Sequence, residues 1–206
     1  MSRSEPYTAS DTPIGHISTE SPVQFTDRRD RLIRLRTIEG TPPDVDALVG
    51  MYADFGATDR AQGIPPIGTD RIREWLTGLT GIHVVAEHGD DPVGHAVLVP
   101  IDGGTGEDED GETNDADADA GTGTSTDAVE LAIFVHPDYQ GARIGTETLG
   151  VLLDHGADSD ADEVQLHVER SNDAAVALYR KYGFTAVDTR AIELRMRRSL
   201  AAPPTG

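Results

Sequence analysis

Apolar and polar positions along the chain recur with two different periods, which together predict a mixed α/β domain. A period of two is typical of a strand with one buried face, and it recurs at residues 31–38 (RLIRLRTI) and 163–168 (EVQLHV). Spacings of three and four are typical of a helix packed by one face, and they recur at residues 44–55 and 143–155. Further strands are predicted at 82–87, 92–101, 128–135, 184–187 and 192–197, and further helices at about 69–79 and 172–182.

Turn and capping residues mark the ends of these elements. Residues 41–44 (TPPD) form a helix-start signal, and Gly183 ends the last helix as the residue after its C-cap. Short polar side chains favour helix N-caps because their oxygens accept hydrogen bonds from free backbone amides. The polar residues expected to cap the other helices are Thr69 or Asp70 and Ser171 or Asn172.

The chain divides into one domain with flanking segments. Residues 1–28 are rich in Ser, Thr, Pro and Asp without sustained periodicity, so we expect a poorly ordered extension. The domain spans 29–198, and 199–206 is a short tail. Within the domain, residues 102–127 are acidic, Gly-rich and without large apolar side chains, which predicts a disordered loop between two strands.

Charge narrows the classes of partner. The formal net charge is -20, the pI is about 4.5, and Lys181 is the only lysine. Nucleic acid is not expected as a partner because phosphate binding needs a basic surface. The acid excess extends beyond the 102–127 segment, which favours a halophilic protein adapted to molar salt, where the Debye length is about 3 Å. An acidic mesophilic protein with one acidic loop is the alternative.

Residue types and patterns that are missing from the sequence exclude further kinds of binding or catalytic site. The chain has no cysteine, so disulfides, thiolate zinc sites and a cysteine nucleophile are excluded, and a cytoplasmic location is expected. No apolar run is long enough to span a membrane, and the N-terminus lacks a secretory signal. The histidines show no H-x-x-x-H spacing, and DADAD at 115–119 lacks the fixed Gly and terminal Glu of an EF-hand. We therefore expect no metal.

A turn of mostly small residues leads directly into the helix predicted after the 128–135 strand. The free amides and the positive dipole of a helix N-terminus form an anion site suited to a pyrophosphate. Taken alone, the same pattern also fits a plain strand–turn–helix connection without a ligand. The residues assigned to the anion site are Gly141, Ala142, Arg143, Ile144, Gly145 and Thr146.

Two strings, IFVHPDYQGARIGT and ERSNDAAVALYRKYGF, together with the element order, resemble the GNAT acetyltransferase superfamily. The resemblance covers roughly residues 31–198. It implies a GNAT-type mixed, mostly antiparallel central sheet flanked by helices, acetyl-CoA as co-substrate and an amine as acceptor. Val135, Pro137, Tyr139, Gln140 and Gly145 match the family's strand exit and pyrophosphate signature.

Arg143 departs from that signature, since it occupies the place of the first glycine. One interpretation is that the loop still binds pyrophosphate, with the Arg143 guanidinium adding a phosphate contact. The other is weakened coenzyme binding. The surrounding matches favour the first. Lys181 is either a contact to the coenzyme's 3′-phosphate or a solvated surface residue.

The resemblance also implies roles around the reacting group. Ile133, Phe134 and Val135 lie on a strand that in the family carries a bulge, splays from the next strand and pairs with the pantetheine arm. Asn172 matches a position near the pantetheine. Tyr179 matches the general acid that protonates the departing thiolate, although its spacing alone favours a core-facing aromatic.

Several questions stay open at the level of sequence. The acceptor is a protein N-terminus, a lysine side chain, a polyamine or a small amine, and family members often form homodimers. A non-catalytic acyl-CoA-binding module on the same fold is the alternative function, and an acidic interaction protein acting through 102–127 ranks last. The candidates for the general base are Glu87, Glu130, His136, His167 and Glu169.

Overall fold

The computed structural model describes residues 22–56, 64–101, 127–189 and 192–200. Within this part of the chain, eight strands form one sheet and four helices pack on it. The acidic loop predicted at 102–127 lies outside the described residues apart from Asp127, and so do residues 1–21 and 201–206.

The strands and helices follow the predicted order, with one strand added at the start. The strands are β1 (Val23–Thr26), β2 (Leu32–Ile38), β3 (Ile82–His88), β4 (Asp91–Pro100), β5 (Ala128–Val135), β6 (Glu163–Glu169), β7 (Thr185–Thr189) and β8 (Glu193–Ser199). The helices are α1 (Pro42–Ala53), α2 (Thr69–Gly78), α3 (Ile144–Ala157) and α4 (Asp173–Lys181).

The sheet confirms the predicted fold class. Its strand order is β1-β2-β3-β4-β5-β6-β8-β7. Only β5 and β6 pair in parallel among these neighbours, and the other pairs are antiparallel. β5 and β6 can pair in parallel because α3 connects them as a crossover.

Each face of the sheet carries its own core. On one face α3 and α4 pack on the sheet, with Leu149, Leu152 and Val176 among the buried residues. On the other face α1 and α2 form a second core that includes Tyr52 and Ile72. Strand residues alternate between the two faces, so successive side chains of β5 and β6 point in turn towards one face of the sheet and then the other.

Gly94 on β4 allows the start of α3 to lie close to the sheet. A Cβ at this position would be 3.3 Å from Cγ2 of Ile144, the first residue of α3, and 3.3 Å from Cβ of Ala86. A larger residue would therefore push the helix N-terminus away from the strands that hold it.

The prediction of a poorly ordered extension over 1–28 is wrong at its end, because Val23–Thr26 is a strand. It pairs antiparallel with β2, and Phe25 is only 4% exposed. A four-residue strand is too short for its periodicity to stand out in a polar segment. The segment becomes a strand because its backbone pairs with β2, and the local residue pattern does not encode that pairing.

The second helix is capped differently from the prediction. Gly68, with φ 99°, is its N-cap, and its carbonyl accepts from the Ile72 amide at 2.9 Å, whereas Thr69 and Asp70 are already helical. The cap of α4 is confirmed at Asn172, whose side-chain oxygen accepts from the Ala175 amide at 3.1 Å.

Candidate active site

The centre of the sheet opens between β5 and β6. These strands pair only from Ala128 to Glu130 on β5, opposite Glu163 to Gln165 on β6. The rest of β5 continues to pair with β4 as far as Val135, which aligns with Gly94. The β6-facing backbone edge of Leu131–Val135 therefore lacks a strand partner in the described part of the chain.

The splay expected for Ile133, Phe134 and Val135 is present, but the bulge expected on this strand is not. The β4–β5 register runs without interruption from Pro100 to Gly94. The register shift lies one pair further along the sheet, at Ala86 and Glu87 of β3. The two strands therefore diverge without an extra residue in β5.

The loop before α3 has the backbone shape of an anion site. Gly141 and Arg143 both have left-handed φ, 72° and 75°. The amides of Ile144 and Gly145 lie in the first turn of α3, where no intrahelical acceptor exists. The Thr146 amide already donates to the Arg143 carbonyl at 3.0 Å.

Arg143 is the N-cap of α3 in a conformation that glycine adopts without steric cost. Its guanidinium Nη2 donates to Glu147 Oε1 at 2.6 Å, one helical turn further on. The expected phosphate contact would therefore compete with this ion pair. The i, i+4 spacing of the two residues was readable from the sequence.

A cleft of about 380 Å³ occupies the opening between β5 and β6. Of the residues predicted to contact the coenzyme or to catalyse, Ile133, Phe134, Val135, Gly145, Asn172 and Tyr179 line it. The lining does not include Gly141, Ala142, Arg143, Ile144 or Thr146, and Ala142 and Ile144 are each only 1% exposed. The cleft thus joins the free edge of β5, the start of α3 and the inner side of α4.

Tyr179 lines this cleft from α4 and is 7% exposed. Its ring packs against Phe184 at a centroid distance of 5.7 Å. Burial raises the pKa of the phenol to about 12. The Tyr179 ring therefore belongs to the core, as its spacing predicts, and the residue also lines the cleft.

Two of the five candidates for the general base lie away from the cleft. Glu87 is 3% exposed and accepts from Arg34 Nη2 and Arg36 Nε, both at 2.7 Å. His136 lines a separate cavity, where its Nε2 is 3.4 Å from Asp54 Oδ2. The geometry does not bring either residue to the β5–β6 opening.

The other three candidates line the cleft at the mouth of the strand opening. His167 Nδ1 is 3.3 Å from Glu130 Oε1, and both side chains remain partly exposed. Glu169 lies at the end of β6, where its Oε2 accepts from Ser171 Oγ at 3.4 Å. Acidic and imidazole groups therefore face the same space as Tyr179.

The matched region of a known family contains this whole cleft. Residues 48–184 match the sequence profile of the Acetyltransferase (GNAT) family, which is more than half of the chain. The chain belongs to the GNAT acetyltransferase family. Its eight-stranded mixed sheet also matches the fold of GNAT structures.

One curated relative of this GNAT chain is the L-amino acid N-acyltransferase MnaT of Escherichia coli (strain K12), 34% identical over 56 residues. That alignment covers 27% of the chain and 33% of MnaT, so the chain spans about a third of its relative's length. The GNAT domain of S. lividans PAT aligns with a TM-score of 0.65 at 16% identity, over 86% of this chain and 96% of that one. The yncA protein of Salmonella typhimurium, solved with its cofactor acetyl-CoA, aligns with a TM-score of 0.57 at 20% identity, over 84% and 96%. At identities this low, the structural alignments show a shared fold and nothing more specific.

A feature outside the GNAT-matched segment supports the loop before α3, and sequence reasoning missed it. The turn between β1 and β2 contacts residues more than a hundred positions further on. The Arg28 amide donates to the Ala142 carbonyl at 3.3 Å, and Arg29 Nη1 donates to the Asp138 carbonyl at 2.7 Å. The Arg31 guanidinium lies 3.9 Å from the centroid of the Tyr139 ring.

Asp27 holds this turn together. Its carboxylate accepts from the amides of Arg29 and Arg31 at 2.8 and 3.0 Å and from Arg31 Nε at 2.8 Å. Burial alone would raise the pKa of Asp27, but the hydrogen bonds from Arg31 and Arg29 and the charge of Arg31 outweigh it, so the pKa is lowered. The cluster D-R-R-D-R was visible in the sequence, although nothing in it named residues 138–142 as its partner.

The described residues of the GNAT domain lack both a membrane-spanning helix and a cluster of metal ligands. None of the helices there combines the length and apolarity needed to cross a bilayer. Within the same residues, no three His, Asp or Glu side chains are grouped so that they could hold a metal ion.

Proposed function

We propose that this GNAT protein transfers the acetyl group of acetyl-CoA to a primary amine by direct attack, with Tyr179 as general acid. The observation that carries the proposal is the cleft at the β5–β6 opening, which joins a free strand edge, a helix N-terminus and a buried phenol. The family match and the acetyl-CoA of the yncA structure support the choice of coenzyme.

The described residues fit an acetyl-CoA substrate in three respects. The free edge of Leu131–Val135 offers backbone groups to an extended, amide-containing arm, as a neighbouring strand would. The first amides of α3 offer hydrogen bonds to a pyrophosphate. Gly145 lines the cleft beside these amides without a side chain, and a Cβ there would make an ordinary van der Waals contact with Cγ2 of Val135 at 3.5 Å.

Tyr179 suits the role of acid because burial keeps its proton in place. With a pKa of about 12, the phenol stays protonated across the physiological range. No hydrogen bond from the described residues engages its hydroxyl, so the proton is available to a group in the cleft. A thiolate leaving at this point would be protonated as the C–S bond breaks.

The base is proposed to be Glu130, with His167 as its hydrogen-bonding partner. Both line the cleft, and they stand on neighbouring strands at the point where pairing ends. A carboxylate here accepts the proton that an ammonium substrate loses before attack. Glu169 lies two residues beyond His167 on the same strand and adds negative charge at the mouth of the cleft.

The proposed reaction balances without a further reagent. The amine loses one proton to Glu130, and its nitrogen lone pair forms the C–N bond to the thioester carbonyl carbon. The C–S bond breaks, and the sulfur takes the Tyr179 proton. The nitrogen gives up its second proton, which restores the phenol through solvent. The products are an N-substituted acetamide, free coenzyme A and one proton released from Glu130.

Calorimetric titration with acetyl-CoA in molar KCl is the first test. We expect saturable one-to-one binding. If the folded protein does not bind acetyl-CoA, the proposed function is wrong. Single-turnover acetylation of a mixed amine panel, with release of free thiol as the readout, then tests transfer.

The Tyr179→Phe variant tests the acid. Loss of a general acid typically lowers kcat by about 10²–10⁴-fold, and we expect a fall in this range with an unchanged Kd for acetyl-CoA. Tyr139→Phe is the matched control, since its hydroxyl contacts His88 and lies outside the cleft. Equal kcat in Tyr179→Phe and wild type would remove Tyr179 from the mechanism.

A non-catalytic acyl-CoA-binding module is the second candidate function. The observation that favours it is Arg143 at the signature glycine position, with its guanidinium engaged by Glu147. This candidate predicts acetyl-CoA binding without turnover of any amine. The titration and the transfer assay therefore separate it from the enzyme.

A further inference from the structure

The two faces of the sheet divide the cleft into a coenzyme side and an acceptor side. Leu131, Ile133 and Val135 point into the core formed with α3 and α4, which also contains Tyr179. Phe134 packs in the core formed with α1 and α2. Because strand residues alternate, Glu130 and Ala132 share the face of Phe134. An acceptor that meets the thioester from this face contacts those three side chains.

One wall of the acceptor side is apolar and rigid. Phe55 and Phe134 line the cleft with ring centroids 6.4 Å apart, and Ile64 lines it as well. Phe134 is held by edge contacts to Tyr52 at 5.5 Å and Trp75 at 6.1 Å. Such a wall stabilises an apolar group on the acceptor by removing it from water.

The opposite wall is acidic. On β6, Val164, Leu166 and Val168 belong to the α3–α4 core, so His167 and Glu169 point to the acceptor side with Glu130. The described residues that line the cleft include two carboxylates and neither lysine nor arginine. A protonated amine is attracted to this wall, and a carboxylate beside the amine is repelled by it.

We propose that the acceptor is an amine cation with an aromatic or branched aliphatic body and without a carboxylate next to its amino group. This inference rests on the proposed function and narrows its acceptor. The chemistry is that of an arylalkylamine, a branched alkylamine or the amide of an apolar amino acid. It differs from a free amino acid, the acceptor class in the name of the E. coli relative.

Three acceptors with the same phenylethylamine skeleton distinguish the effect of a carboxylate's charge from the effect of its size. 2-Phenylethylamine has no group beside the amine, phenylalaninamide adds a neutral carboxamide, and phenylalanine adds a carboxylate of similar size. Like charge across an interface costs several kcal/mol, so we expect kcat/KM for phenylalanine to be about tenfold or more below that for phenylalaninamide. We expect 2-phenylethylamine to match or exceed the amide.

Salt distinguishes repulsion from steric exclusion. The ratio of kcat/KM for phenylalaninamide to kcat/KM for phenylalanine is measured at a series of KCl concentrations. The series begins at the lowest concentration at which circular dichroism shows a folded protein and ends at 3 M. Because the Debye length falls to about 3 Å at 1 M salt, we expect the ratio to shrink by several-fold. A ratio that salt does not change would overturn the charge argument.

Two variants test the walls separately. Glu169→Gln should reduce the ratio of kcat/KM for phenylalaninamide to that for phenylalanine. The control is Asp160→Asn, which changes an exposed residue beyond the C-terminus of α3 and should leave the ratio unchanged. Phe55→Ala should lower kcat/KM for 2-phenylethylamine about tenfold while that for ethylamine changes little. A structural defect would lower both amines alike, so equal losses would contradict the role of the apolar wall.

The outcomes also separate this inference from the proposed function. Phenylalanine acetylated as fast as its amide would overturn the acceptor class and leave the acetyltransferase standing. Acetyl-CoA binding without acetylation of the four amines, a polyamine, a lysine side chain or a peptide N-terminus would overturn both. Preference for ethylamine over 2-phenylethylamine would overturn the apolar body alone.

Discussion

Tyr52 Oη lies 2.7 Å from Nδ1 of His95, and His95 Nε2 lies 3.0 Å from Nδ1 of His83. This chain of three polar side chains is buried between the sheet and the helices α1 and α2, and His95 is 0% exposed. Burial, and then the neighbouring His83, lower the pKa of His95 to about 3. Burial also lowers the pKa of His83.

Acid should therefore destabilise the protein through these histidines. The native state keeps His95 neutral, while the unfolded chain takes up a proton near the ordinary pKa of 6.5. Stability is present above pH 6.5 and is lost as the pH falls towards 3, by about 1.4 kcal/mol per pH unit for a single such group.

The check is urea unfolding at several pH values between 7 and 4. His95→Gln keeps a hydrogen-bonding side chain and removes the titration, so its stability should depend less on pH over this range. His155→Gln is the control, because it removes a histidine from the last turn of α3 instead. A slope unchanged by His95→Gln would contradict the assignment.

Replacing Arg143 should separate backbone strain from side-chain function. Arg143→Gly relieves the left-handed φ of 75° but loses the ion pair with Glu147. Arg143→Ala loses the ion pair and keeps the strain. We expect the glycine variant to be more stable than the alanine variant by about 1 kcal/mol, as measured by chemical unfolding.

Acetyl-CoA titration of the same pair tests the phosphate contact predicted for Arg143. Because Glu147 already holds the guanidinium, we expect the Kd of Arg143→Gly to stay within about threefold of wild type, which corresponds to less than 1 kcal/mol. A tenfold weaker Kd would mean that Arg143 leaves Glu147 and contacts the coenzyme.

Asp27→Asn should weaken coenzyme binding without touching the cleft. The change leaves Arg31 with a neutral partner in the turn that contacts Ala142 and Asp138. We expect a stability loss of about 1–3 kcal/mol and a several-fold rise in KM for acetyl-CoA, with kcat retained. Asp30→Asn, in the same turn, is the control. A fall in kcat with unchanged KM would contradict a role in positioning the loop.

The acidic segment should be dispensable for folding. Its two ends already meet, since Pro100 and Val129 are paired in the β4–β5 ladder and the Ile101 amide donates to the Ala128 carbonyl at 3.0 Å. Replacing residues 102–127 by a four-residue Asn-Gly turn should leave the melting temperature and the Kd for acetyl-CoA nearly unchanged. A shorter connection between two paired strands costs less entropy to close, so a slight gain in stability is expected. Loss of acetyl-CoA binding in this variant would mean that residues 102–127 contribute to function.

Salt should stabilise the protein. With a formal net charge of -20, self-repulsion opposes the compact state, and KCl screens it. We expect the melting temperature to rise between 0.1 and 2 M KCl. The variant without residues 102–127 should show a smaller rise because it carries fewer acidic residues. A flat response in both proteins would remove the argument for adaptation to molar salt.

The sequence by itself determined the elements and the chemistry that is local to them. Alternation predicted β2 and β6, and the small residues before α3 indicated an anion site because a helix N-terminus carries its own free amides. Asn172 was readable as a cap for the same local reason. Even the Arg143–Glu147 ion pair follows from a spacing of four on a helix.

Only the tertiary structure decided the relationships that join distant segments. Strand β1 exists through pairing with β2, and the Asp27 turn reaches residues 138–142 because the end of β1 lies beside the start of α3. The divergence of β5 from β6 placed Glu130, His167 and Glu169 along the cleft, whereas Glu87 and His136 lie elsewhere. Local periodicity encodes which face a residue occupies. It does not encode which residues meet across that face. Those contacts depend on how the packed elements lie against one another, and no single segment specifies that arrangement.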